Sequence, residues 1–214
     1  MAHALADASQ DYKRSLDGDR GPNTGGMGTY SPAPWVSDDL LRRTEAEVVA
    51  PLLASLASDG IDYRGVLFSG LMVVDDRPYC LEYNVRFGDP ETQSVVRRLG
   101  SGFLDLLMAA ADGRSLPRPE VLDNASITVV LASGGYPGSY AKGLAIHLPS
   151  ELPDGVEIFH AGTSSSGGLL VTSGGRVLGI SAAAAMAEAA RAAAYSAVDT
   201  IQFEGRTFRT DIGL

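Results

Sequence analysis

The sequence predicts a mixed α/β chain in two parts, with helices and a strand pair first and a small β-rich domain closed by a helix second. Three observations carry this. Apolar residues between Ser37 and Leu56 recur at helical spacing. Two strand-like runs, Gly65 to Val74 and Tyr79 to Arg86, flank the turn-forming Asp75-Asp76-Arg77-Pro78. Past a stretch holding Gly113, Pro117 and Pro119, the pattern changes to short apolar runs. That stretch, 112–124, is the candidate boundary, giving domains at 1–118 and 119–214.

Taken in order, residues 1–36 are unusual for the start of a domain. Gln10 to Arg20 is crowded with charge, and Gly21 to Pro34 is rich in Gly, Pro, Asn and Ser. Such a segment reads as a long loop lying against something else. A helix follows, capped by Ser37, with Asp38 and Asp39 at its positive end. Pro51 should bend or interrupt it, and Asp59-Gly60 should stop it. Gly65 to Val74 is nearly continuous in apolar residues, as in a strand buried on both faces. Asp89, Pro90 and Glu91 are placed to start a helix ending near Gly100, and Ser101 starts another. Strand-like runs lie at 127–132, 144–148, 156–160, 169–172 and 176–181. An Ala-rich helix spans roughly 182–200.

Composition narrows the function classes. A net charge of −9 with no basic stripe argues against nucleic acid or an anionic membrane as partner. It does not exclude a phosphate ligand, which needs only a few Arg, Lys and backbone N–H groups. No apolar run approaches the roughly 20 residues that span a bilayer. The stretch Met1 to Asp7 has neither the basic region nor the apolar core of a secretion signal. Cys80 is the one cysteine, so a reducing, cytoplasmic setting is expected.

The sharpest local feature is Leu81-Glu82-Tyr83-Asn84-Val85-Arg86-Phe87-Gly88-Asp89-Pro90-Glu91. Side chains alternate along a strand, so Leu81, Tyr83 and Val85 should face the core, and Glu82, Asn84 and Arg86 the other side. A carboxylate and an amide two residues apart present hard oxygen ligands that suit Mg²⁺, which keeps phosphate and water in its remaining positions. A surface strand with a polar face explains the same spacing. Gly21-Pro22-Asn23-Thr24-Gly25-Gly26-Met27-Gly28 offers backbone N–H groups that can form an anion-binding concavity, although a plain flexible loop is the commoner fate of such a stretch. His147 and His160 read as packed or solvated. Cys80 reads as a small buried residue, and Trp35 as packing at the loop-to-helix junction.

These motifs occur together, in order. Ser9-Gln10-Asp11-Tyr12-Lys13-Arg14, then Gly21 to Pro34, Tyr63 to Met72 and Leu81 to Gln93 resemble phosphoribosylamine–glycine ligases of the ATP-grasp superfamily. Downstream, Ser133-Gly134-Gly135-Tyr136-Pro137-Gly138, Phe159-His160-Ala161-Gly162-Thr163, Gly174-Gly175-Arg176-Val177-Leu178 and Arg209-Thr210-Asp211-Ile212-Gly213 are similar to the C-terminal domain of that family. The resemblance spans nearly the whole chain. Tyr83 stands where the family usually has Phe, and Val85 where it often has Cys.

The resemblance implies the second half of an ATP-grasp module followed by a small β-rich C-terminal domain. It implies ATP-dependent joining of glycine to 5-phosphoribosylamine through glycyl phosphate, a step in purine biosynthesis. Glu82 and Asn84 match the family's metal ligands for Mg²⁺ or Mn²⁺, and Arg86 and Asp89 are the candidate catalytic residues. Asp11, Lys13, Arg14, Asn23, Thr24, Gly25, Gly26 and Glu91 are candidates for binding nucleotide or substrate. The family's phosphoribosylamine-holding domain and first ATP-grasp half have no counterpart in the sequence, so the chain alone is expected to be inactive and prone to self-association. Two alternatives stay open: another ATP-grasp carboxylate–amine ligase fragment, or a non-catalytic subunit that needs a partner chain.

Overall fold

The computed structural model describes His3 and residues 7–214, so most of the Met1 to Asp7 stretch falls outside the described residues. In chain order the first strands are β1 (Gln10–Asp11), β2 (Arg14–Leu16), β3 (Arg20–Asn23) and β4 (Gly28–Ser31). Helices α1 (Asp38–Thr44) and α2 (Ala50–Ser58) precede β5 (Phe68–Val74) and β6 (Arg77–Asn84). Then come α3 (Glu91–Val95), α4 (Phe103–Asp112), β7 (Ala125–Ala132), β8 (Val156–His160), β9 (Thr163–Ser166), β10 (Leu169–Thr172), β11 (Arg176–Ala184) and α5 (Ala187–Thr200). No described helix is long and apolar enough to cross a membrane.

The chain forms two compact units. One comprises Ala33–Gly88 and Leu99–Val121; the other comprises Ser9–Pro32, Asp89–Arg98 and Leu122–Leu214. A seam at Val121/Leu122 lies close to the compositional break, but the units are not contiguous in sequence. The charged and Gly-rich opening is therefore not a long loop. It supplies β1 and β4 to a five-stranded antiparallel sheet in the order β1-β4-β7-β11-β8, and β2 and β3 pair with each other. The Gly, Pro and Asn content that reads as loop hides strands short enough to escape a periodicity test.

In this second unit, β7 is buried at every position because β4 and β11 flank it and helices cover both faces. On one face lie Ile127, Val129, Leu131 and Ile180. Against them α5 packs Ala190, Ala194 and Ala197, all fully buried. A row of methyl side chains lets the helix approach the sheet closely. The helix starts later than composition suggests. Ala182–Ala184 complete β11, paired with β7 throughout and with β8 at Ala182, and ladder pairing outweighs alanine's helix preference. Residues 144–148 make only isolated pairings, at Ala145↔Val171 and His147↔Gln202. The Ser-rich β9, for which the sequence reading predicts no strand, forms a hairpin with β10.

In the first unit, Ser37 Oγ accepts from the Leu40 N–H and caps α1. The α-helix is interrupted before Pro51 by one turn of i→i+5 bonding over Glu45–Val49, in which the Ala50 N–H reaches Glu45 O. Pro51 has no N–H to donate back to that turn, which permits the wider register. The β5–β6 hairpin contradicts two expectations. β5 is not buried on both faces, and Leu81, Tyr83 and Val85 do not face a core: they are 66%, 39% and 75% exposed. The hairpin is a two-stranded sheet; α1 and the turn at Glu45–Val49 pack against β6, with Tyr83 Oη donating to Val48 O, but they leave Leu81 and Val85 uncovered. Cys80 is likewise exposed, and so is Trp35.

Candidate functional site

Four hydroxyls fix the short helix α3. Thr29 on β4, Thr128 on β7 and Ser181 on β11 lie in register across the sheet. Thr128 donates to Ser181 Oγ at 3.0 Å, and Ser94 on α3 sits 2.8 Å from Thr128 Oγ1 and 2.7 Å from Thr29 Oγ1. Thr29 and Ser94 are fully buried, so each hydroxyl needs these partners. Replacing Ser94 by alanine strands its neighbours' hydrogen-bonding groups. The expected loss is about 1–3 kcal/mol in urea unfolding, and no change would contradict the docking role.

Docking α3 puts Glu91, at its first turn and 6% exposed, beside Asp11 of β1 and Lys13. Lys13 Nζ pairs with Asp11 Oδ2 and lies 3.7 Å from Glu91 Oε1. Two carboxylates thus share one ammonium. Both Asp11 oxygens are sealed from solvent. Burial, and then repulsion from Glu91, push the Asp11 carboxyl up to about 7, and Lys13 offsets part of this. Such a group carries a proton near neutral pH and can release or accept one there.

The Gly-rich segment closes over this cluster. Tyr12 and Met27 pair through backbone bonds, as do Lys13 and Thr24. The Gly26 N–H donates to Thr24 Oγ1, and the Gly25 N–H to Tyr136 Oη at 3.0 Å. The backbone donors of 24–27 are therefore engaged within the chain, and the expected open concavity of N–H groups is not formed. The reason lies in the pairing with Tyr12 and Lys13, which turns these donors inward. Gly26, at φ +114°, needs its missing side chain: a methyl there would lie 2.4 Å from Pro90 Cδ and 2.8 Å from Asp11 Oδ1.

Asp89 does not cap α3, whose start at Pro90 has no side-chain cap. Its carboxylate accepts from Arg176 Nη2 at 3.0 Å and from Gln93 Nε2 at 3.0 Å. Arg176 also donates to Gly25 O and to Asp89 O, at 2.8 and 2.6 Å. Arg176 and Tyr136 sit in motifs visible in the sequence, but nothing at the sequence level ties them to residue 25. Arg14 donates to Gly21 O within its own hairpin, opposite Asn23, and both residues are exposed.

In the other unit, β6 carries the candidate metal ligands. The bulge lies at Leu81, and pairing is regular from Glu82 to Asn84, opposite Gly70 and Phe68. Glu82 and Asn84 therefore share a face. Glu82 leans over Gly70, where a side chain would crowd it at 3.0 Å. Arg86 Nη2 donates to Asn84 Oδ1 at 3.1 Å, which orients the amide oxygen, and Asn84 Nδ2 is buried without a hydrogen bond. One carboxylate and one oriented amide oxygen suit a hard cation whose other positions are filled by phosphate and water. No group of three or more His, Cys, Asp or Glu gathers among the described residues, so the pair is a partial ligand set.

Residues 2–92 match the phosphoribosylglycinamide synthetase ATP-grasp (A) domain, and residues 126–214 match the C domain of the same family. The phosphoribosylamine–glycine ligase of Rhizobium meliloti is 46% identical over 96% of the chain and 49% of its own length. That of Agrobacterium fabrum is 47% identical over 99% and 50%. The crystal structure of the Thermotoga maritima phosphoribosylamine–glycine ligase superposes with a TM-score of 0.87 at 42% identity, covering 95% of the chain and 50% of its own. The biotin carboxylase subunit of pyruvate carboxylase, at 14% identity and TM-score 0.62, shares the fold. The chain spans about half the length of the curated relatives it matches. Its domains, its motifs and its structure agree: the chain belongs to the phosphoribosylamine–glycine ligase family, within the ATP-grasp superfamily.

Proposed function

We propose that the chain forms part of an enzyme that joins glycine to 5-phosphoribosylamine with ATP. The observation that carries this is the oriented Glu82–Asn84 pair, with Arg86 bound to the amide, in a chain that also holds a buried acid–lysine cluster. A carboxylate is a poor acyl donor. Transfer of the γ-phosphoryl group to glycine makes glycyl phosphate. The substrate amine then attacks its carbonyl carbon: a C–N bond forms, the C–O bond to phosphate breaks, phosphate leaves, and the amine loses a proton. Such chemistry depends on positioning and charge stabilisation more than on a protein nucleophile.

Glu82 and Asn84 would hold Mg²⁺ or Mn²⁺, which neutralises phosphate charge when bound. Arg86 meets phosphate or carboxylate as a forked donor. Asp11, Lys13 and Glu91 are the candidate cluster for binding nucleotide or substrate, and Lys13 offsets part of the charge of the two acids. Asn23, Thr24, Gly25 and Gly26 line the substrate side through side chain and contour rather than through free N–H groups. Asp89 acts through Arg176, and Arg14 borders the same hairpin. The family matches support dividing the chain into the later ATP-grasp half at 1–118 and the C domain at 119–214. A single exposed cysteine and the acidic charge fit a cytoplasmic enzyme of small molecules, without nucleic acid or membrane.

The exposed apolar residues of the β5–β6 hairpin, Met72, Tyr79 and Leu81, are read as surface that the remainder of such a ligase covers. The purified chain alone should release no ADP above background with ATP, Mg²⁺, glycine and phosphoribosylamine, and should associate with rising concentration in sedimentation. Co-expressed with the part of the Rhizobium meliloti enzyme that it does not span, it should restore growth without purines to a strain lacking this ligase. In that pairing Glu82→Ala should reduce turnover by roughly 100-fold or more while melting unchanged. Full turnover by the Glu82→Ala pairing would remove the metal assignment, and a failed complementation would remove the ligase reading.

A further inference from the structure

The motifs Ser133–Gly138 and Gly174–Leu178 stand apart from the acids and the β6 ligands in sequence, yet they converge on one small loop. We infer that Arg176 and Tyr136 are positioning residues that hold the Gly25–Gly26 backbone shut over the Asp11–Lys13–Glu91 cluster, and thereby govern how that cluster keeps its proton. The two residues grip the same peptide from two sides: Tyr136 Oη accepts from the Gly25 N–H at 3.0 Å, and Arg176 Nη1 donates to Gly25 O at 2.8 Å.

The grip is itself braced. The Tyr136 ring lies on the backbone of Gly175, where a methyl group would come within 2.3 Å of Cδ2. Ser133 ties the two motifs together, its N–H donating to Gly175 O at 2.8 Å and its hydroxyl to Gly174 O at 2.9 Å. Tyr140 packs edge-on against Tyr136. The Arg176 side chain is largely buried, and the same guanidinium holds the carbonyl and carboxylate of Asp89, immediately before the Pro90 ring that Gly26 abuts. The loop is thus clamped between Asp89–Pro90 and the Tyr136 hydroxyl, with Gly26 against Asp11 Oδ1.

The charged groups that face Asp11 are Lys13 on its own segment and Glu91 on α3, while Asp89 and Arg176 lie on the loop side. The loop contributes by excluding water, and burial is the larger cause that raises the Asp11 carboxyl. Opening the loop rehydrates Asp11 and favours its ionised form. Loss of the Arg176 charge alone acts in the opposite direction, because removing a cation disfavours a nearby carboxylate. The sign of the change therefore separates the two effects.

The test is a ¹³C NMR titration of the Asp11 carboxyl in the full 214-residue chain. The parent midpoint should lie near 7. In Arg176→Gln and in Tyr136→Phe it should fall to about 6 or below, as expected of a partly rehydrated carboxylate. A midpoint that stays or rises in both overturns the clamp. Should Arg176→Gln fail to fold, Tyr136→Phe decides alone, since it removes one hydroxyl and no charge. The part this cluster plays in binding substrate rests on the ligase reading, and the outcomes are separable. A lowered midpoint with failed complementation supports the clamp and removes only the ligase reading.

Discussion

Replacing Arg209 by methionine is expected to destabilise the chain by about 3–5 kcal/mol, the range for breaking a buried ion pair from one side. Arg209 is 1% exposed. Its Nε and Nη2 each donate to Asp211 at 2.7 Å, and Nη1 donates to Arg14 O at 3.0 Å. The guanidinium also lies over the Tyr12 ring, 4.9 Å from its centre. Methionine fills much of the volume but leaves the Asp211 carboxylate without its cation. The neighbouring bonds, from Thr210 to Asp17 and from Gly18 to Asp211, join the C-terminal end to the opening segment and depend on the same geometry. Urea unfolding at pH 7 measures the loss, and a value under about 1 kcal/mol would show the pair to be dispensable.

The same pair predicts an acid limb. Hydrogen bonds from Arg209 hold the Asp211 carboxyl at about 2, below its ordinary value of 3.8. A depressed carboxylate contributes stability that is present above its unfolded value and lost as pH falls through its folded one. Stability should therefore decline between about pH 4 and 2, and Arg209→Met should flatten that decline. Asp11 acts with the other sign. Its carboxyl is raised to about 7, so its contribution is full below the unfolded value of 3.8 and is lost as pH rises through 7.

Gly26→Ala should lower the melting temperature by about 5–10 °C, corresponding to roughly 2–3 kcal/mol. The added methyl meets Pro90 and Asp11 below contact distance, and φ of +114° disfavours any side chain. Gly60→Ala is the control. That residue also has positive φ, +73°, but nothing lies within 4 Å of the added carbon. An equal effect from both substitutions would assign the Gly26 result to backbone conformation alone.

Much of the fold was legible because its elements obey local rules. Val156–His160 and Leu169–Thr172 are apolar runs bounded by turn residues, and they form strands with the expected limits. Ser37 caps the first helix as its side chain dictates. What failed was non-local. Nothing within Gly28–Ser31 announces that β7, about 100 residues on, will pair with it. Leu81 and Val85 have an apolar alternation that demands a covering layer, and alternation cannot say whether the described chain supplies one. The site divides the same way. Glu82 and Asn84 share a face through a spacing of two, which any strand imposes. The gathering of Asp11, Lys13 and Glu91, and the hold of Arg176 on Gly25, arise from tertiary contact across 78 to 151 positions, beyond the reach of spacing.

The sheet order carries a consequence for biosynthesis. β4 emerges from the ribosome well before its neighbour β7, whose far edge ends at Ala132, and β11 follows only at Arg176–Ala184. At translation speeds of about 5–20 residues per second, roughly 100 residues of delay leave the opening segment waiting for about 5–20 s. During that interval its glycines and charges keep it hydrated and poor at pairing with strangers. The polarity that disguises these strands as loop thus has a use in time: it protects a segment that is made early and needed late.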